Sequence, residues 1–131
     1  MVESLRRILD PEPRVAYALV FGSAARAATS PESDVDIAVG LVAGARPGVR
    51  EIAELVSRLE SAIGKPVDLV LVDEAPPALA YRIFRDGQVV SLRDRQAFVM
   101  AKARAILEYL DLKPLQDICV RGARRAAVRG R

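Results

Sequence analysis

The stretch DVDIAVG, from Asp34 to Gly40, alternates so strictly that it leaves little choice of fold. Successive side chains of a strand point to opposite faces, so Val35, Ile37 and Val39 share one face and Asp34 and Asp36 the other. The valine–isoleucine face needs a hydrophobic core. The aspartate face carries two like charges that repel unless something neutralises them. Just upstream, RVAYALVFGS is apolar, rich in β-branched residues and ends at Gly22, which predicts a buried strand. PVDLVLVDE predicts a third strand, apolar nearly throughout, as expected when both of its faces are covered, and it reads as an interior strand. QVVSL predicts a short edge strand.

Helical patterns fill the spaces between. ESLRRILDPEP reads as a first helix stopped by Pro11 and Pro13. SAARAAT reads as a short helix capped by Ser23, with SPES as the turn after it. In PGVREIAELVSRLESAIGKP, Val49, Ile52, Val56, Leu59 and Ile63 fall on one stripe between Pro47 and Gly64. PPALAYRIFRDG reads as a helix closed by Gly87. DRQAFVMAKARAILEYL reads as a long helix with Val99, Ala103, Ile106 and Leu110 on one side. The 131 residues suit one α/β (α+β) domain, a short mixed sheet flanked by helices.

Composition narrows the chemistry. There is no histidine, and Cys119 is the one cysteine, which excludes a Ser-His-Asp triad, a zinc site and an internal disulfide. Any metal must be held by oxygen, which points to Mg²⁺ or Mn²⁺. Cys119 itself reads as a packing residue. The net charge of +3 comes from the end of the chain: residues 121–131 hold five arginines and no acid, leaving 15 basic and 17 acidic groups in residues 1–120. Residues 1–120 are expected to form the domain and 121–131 a basic, mobile tail. The near-neutral body and its few aromatic residues argue against a nucleic-acid-binding face there; the arginines of the tail leave that option open. No stretch reads as a membrane span or signal peptide, so the expected location is cytoplasmic.

Asp34 and Asp36 suit a divalent cation, which would supply a Lewis acid and a template for a triphosphate. Asp68 adds a third acid, provided its strand lies beside theirs; an ion pair with an arginine is the plainer alternative. Gly22 and Ser23 stand where a strand turns into a helix, where free backbone N–H groups suit a phosphate. Arg26, three residues on, suits a phosphate or a partner, or is a solvated helix residue. Each piece alone is common. Together they describe a phosphate cradle beside paired carboxylates.

The combination of Gly-Ser, ten residues and Asp-Val-Asp resembles the signature of the DNA-polymerase-β-like nucleotidyltransferases. FGSAARAATSPESDVDIAV is similar to their minimal members, the MntA-type antitoxins encoded beside HEPN-domain toxins; the likeness covers roughly residues 15–115. It implies a small nucleotidyltransferase domain. Gly22 and Ser23 would engage the nucleotide phosphates, Asp34 and Asp36 would bind two Mg²⁺ ions, and Asp68 would complete the site and activate the attacking hydroxyl. It also implies transfer of AMP from ATP to a tyrosine hydroxyl of an HEPN-type RNase toxin, in a hetero-oligomer with it. The usual GSxARG reads GSAARAA here, so Ala27 stands in the place of a glycine. Two other readings stay open: a transferase acting on a small molecule of the aminoglycoside type, or a catalytically silent antitoxin that neutralises by contact.

Overall fold

A computed structural model describes residues 1–22 and 33–128 of the chain, with side chains described as far as residue 111. The predicted short helix, with Ser23, Arg26 and Ala27, lies outside the described residues, as do the turn after it up to residue 32 and the side chain of Cys119. The described elements run α1 (Val2–Leu9), β1 (Val15–Phe21), β2 (Val35–Leu41), α2 (Val49–Ile63), β3 (Val67–Leu71), α3 (Pro77–Asp86), β4 (Gln88–Leu92) and α4 (Arg95–Val128), with a 3₁₀ turn at Val72–Glu74. Among the described residues no helix is long and apolar enough to cross a membrane.

The sheet order is β3-β2-β1-β4. β1 pairs antiparallel with both β2 and β4, and β2 pairs parallel with β3. It is a mixed α/β sheet, as expected, with β4 on an edge. β3 departs from expectation, because it is the other edge rather than an interior strand. The cause expected for its apolar run holds nonetheless: Val67, Leu69 and Leu71 pack towards one face and Val70 towards the other, so helices partly cover both sides.

Helices lie on both faces of the sheet. On one, Leu5 and Leu9 of α1 and Leu55 and Leu59 of α2 pack against Val15, Val20, Val35, Ile37 and Val39. On the other, Ile83 and Phe84 of α3 and Ala105 of α4 pack against Tyr17, Leu19 and Ala38. The rings of Tyr17, Phe84 and Phe98 meet at centroid distances of 5.5–6.1 Å. Gly40 makes room for this cluster, since a Cβ there would collide with the Tyr17 ring.

Two helix faces differ, one slightly and one more, from the sequence reading. In α2, Leu59 of the expected stripe is buried together with Leu55, and Ile52, Val56 and Ile63 are half-buried, while Val49 in the first helical turn is 87% exposed. Gly48 caps that turn by donating its N–H to Glu51 at 2.6 Å. In α4 the covered side is Phe98, Ala101 and Ala105, whereas Val99 and Leu110 are more than half exposed. That helix carries apolar residues on two sides, and the small ones let it approach the sheet closely.

Candidate active site

β2 sets the site by alternation. Val35, Ile37 and Val39 are buried against α1 and α2, which turns Asp36, Ala38 and Gly40 towards α3 and α4. Asp34 stands exposed just before the strand begins. In the parallel ladder, Asp36 is level with Asp68 of β3. The two carboxylates are therefore neighbours on one face, and the condition set for Asp68 is met. The arginine alternative is not: among the described residues no ion pair reaches Asp34, Asp36 or Asp68.

The electrostatics follow from that crowding. Burial, then the charges of Asp68 and Asp34, then a hydrogen bond shared with Asp68 hold the Asp36 carboxyl above its ordinary 3.8. All the donors here are oxygens, which suits a hard divalent cation. Asp36 and Asp68 form the close pair; among the described residues no three acids are already gathered as a cation cage.

Gly22 meets this pair from β1. Phe21 is level with Asp36, so the turn that follows lies beside the carboxylate. Gly22 has φ +70°, and an added Cβ would collide with Asp36 Oδ2. Only glycine satisfies both demands without strain. The backbone thus comes against the acidic group, as a phosphate cradle beside it requires.

A cleft of about 290 Å³ opens here, lined by Phe21, Gly22 and Asp36 on the sheet side and by Arg82, Arg85 and Asp86 of α3. The α3 residues were not singled out from sequence. The available signal was the pair Arg82 and Arg85, one turn apart on the helix that follows the third acid.

The family described as "Polymerase beta, Nucleotidyltransferase" matches residues 3–96. The chain belongs to this nucleotidyltransferase family. The chain is also 37% identical over 65 residues to "Putative protein adenylyltransferase MJ1379" of Methanocaldococcus jannaschii, a match that covers 50% of this chain and 65% of that one. This nucleotidyltransferase chain also shares its fold with solved structures. One is a chain of a toxin–antitoxin structure with AMP-PNP, at a TM-score of 0.78 and 22% identity over 93% of this chain and 97% of that one. Another belongs to the complex of tri-AMPylated Shewanella oneidensis HEPN toxin with MNT antitoxin, at a TM-score of 0.71 and 22% identity over 94% and 98%.

Proposed function

We propose that this chain transfers AMP from ATP to a tyrosine hydroxyl of a partner HEPN-type RNase toxin, in the cytoplasm and in a hetero-oligomer with it, and so acts as its antitoxin. The observation that carries the reading is the level placement of Asp36 and Asp68 beside the Gly22 turn. Family membership and the adenylyltransferase relative support it. So does the fold shared with chains of toxin–antitoxin complexes, one of them with an AMPylated toxin.

Asp34, Asp36 and Asp68 would hold Mg²⁺, or Mn²⁺ in its place. When bound, the metal supplies Lewis-acid stabilisation of the phosphoryl charge and a template for the triphosphate. The chain's own residues do the rest. The backbone at Gly22, with Ser23, cradles the phosphates, and Arg26 adds a positive charge to them. Asp68 takes the proton from the acceptor hydroxyl. The hydroxyl oxygen bonds to the α-phosphorus as the bond from that phosphorus to the bridging oxygen of the β-phosphate breaks. Pyrophosphate leaves with the electron pair, and the acceptor keeps AMP through a phosphodiester bond.

The test is intact-mass spectrometry of the protein encoded beside this chain after incubation with the chain, Mg²⁺ and ATP. A gain of one or more adenylyl units, absent with Asp36→Asn, is expected. Co-purification without any gain would replace catalysis by neutralisation through contact. Neither gain nor complex would direct the search to small-molecule acceptors.

A further inference from the structure

We propose that Arg82 binds the β- and γ-phosphates of the nucleotide, the part that departs as pyrophosphate; this rests on the nucleotidyl-transfer reading above. The cleft beside Asp36 has walls of opposite character. The sheet side offers the Gly22 backbone and the Asp36 carboxylate, and the α3 side offers the guanidinium groups of Arg82 and Arg85 against one carboxylate, Asp86, a net positive charge. A ligand between them must tolerate carboxylates at one wall and seek positive charge at the other. A polyphosphate chelating a divalent cation does both, with the cation towards the aspartates and free phosphate oxygens towards α3.

The two arginines are not equivalent. Arg85 is occupied: it donates to both carboxylate oxygens of Asp86 at 2.9 and 2.8 Å, and it lies 5.6 Å from the centre of the Tyr81 ring. Arg82 forms no ion pair with any described residue and is exposed on the cleft. An uncommitted guanidinium presents its planar fork of N–H donors to whatever enters, and that fork matches two phosphate oxygens at once. α3 holds it there firmly, because Ala80, Ile83 and Phe84 on the other side of the helix are buried against the sheet. Gly22 is fixed beside Asp36, so the α-phosphate has its place at the carboxylates. The outer phosphates then extend towards α3. As the bond to the α-phosphorus breaks, negative charge grows on the departing pyrophosphate, and Arg82 meets it.

The experiment is calorimetric titration of the full chain with AMP-PNP and, separately, with AMP, both with Mg²⁺. Arg82→Gln and Arg82→Lys are compared with the native chain and with Arg50→Gln, which removes the same charge from an exposed position on α2. Arg82→Gln should weaken AMP-PNP about 10- to 100-fold and change AMP less than about twofold; Arg82→Lys should fall between, and Arg50→Gln should match the native chain. Unchanged melting temperatures confirm that each variant is folded. Equal losses for both nucleotides, or no loss for either, would overturn the assignment of Arg82 while leaving nucleotide binding intact. A native chain that binds no AMP-PNP with Mg²⁺ would remove the nucleotidyl-transfer reading itself, and the role of Arg82 with it.

Discussion

The two faces of the sheet are built to different ends, although β2 supplies both. Towards α1 and α2 it sends Val35, Ile37 and Val39, each at most 1% exposed, into a layer closed by leucines. Towards α3 and α4 it sends Asp36, Ala38 and Gly40. The first face is bulky and filled. The second keeps small residues under the Tyr17 ring at one end and leaves a charged cleft beside Asp36 at the other. A seven-residue strand thus separates stability from chemistry by parity alone.

Mutations on the two faces should therefore fail differently. The largest effect is expected from Asp36→Asn, which removes the central carboxylate while keeping its shape. Transfer should fall on the order of 10³-fold, read by the rate of AMP incorporation, with an unchanged circular dichroism spectrum. Leu59→Ala on the filled face should do the opposite. Leu59 is fully buried between α2 and the sheet, so its truncation should cost about 2–5 kcal/mol by urea denaturation. The activity of the fraction that stays folded should be near native. Equal loss of activity and stability in either variant would erase the distinction between the faces.

Gly22→Ala tests where the two roles touch. Alanine at φ +70° is strained, and its Cβ displaces the Asp36 carboxylate. Stability should drop by about 1–3 kcal/mol, with a disproportionate loss of transfer. A variant with the stability loss and full activity would show that the turn need not touch the acidic pair.

Glu12 tests the rim of the filled face. It is 8% exposed and accepts hydrogen bonds from Arg14 at 2.9 Å and Arg58 at 3.0 Å. Burial pushes its carboxyl up, but the hydrogen bonds from Arg14 and Arg58 and the charge of Arg14 together outweigh burial and hold it below its ordinary 4.5. A carboxylate held low in the folded state stabilises it above the ordinary value, and that stability is lost as pH falls through the lowered one. Glu12→Gln should cost about 1–2 kcal/mol at pH 7, because both arginines are half exposed and partly screened. The difference from the native chain should vanish in strong acid. A pH-independent difference would mean that Glu12 acts through packing.

Much of this contrast was legible in the sequence, because alternation is a local property. Val35, Ile37 and Val39 announced a buried face, and Asp34 and Asp36 announced a polar one. The Gly22 turn was legible as well, though not its collision with Asp36, which depends on Phe21 and Asp36 being level across β1 and β2. Pairing was not local, so Asp68 was placed only on the condition that β3 adjoin β2. The edge position of β3 stayed hidden because an apolar run looks the same whether neighbouring strands or helices cover it. Val99 and Leu110 misled for a related reason: α4 has apolar residues on two sides, and periodicity does not say which side meets the sheet. Arg82 was silent for want of the cleft that gives it meaning.

The smallest expected effect carries the comparison furthest. On the filled face every substitution considered costs stability, but on the acidic face one should increase it. Asp36 is held above its ordinary 3.8 by burial and by Asp68 and Asp34, so the folded chain binds its proton more tightly than the unfolded chain does. Stability is then fully favoured below the ordinary value and declines as pH rises through the raised one. Without metal at neutral pH, the ionised carboxylate strains the fold, and Asp36→Asn should raise the melting temperature by about 2 °C. In acid the gain should disappear, since the native side chain is then neutral too. With Mg²⁺ present, the native chain should recover the difference, because a cation bound only to the folded state stabilises it and the asparagine variant has lost part of the site. A melting temperature that Asp36→Asn lowers at neutral pH in the absence of Mg²⁺ would mean that the carboxylate supports the fold, and the division of labour between the faces would fail at its central residue.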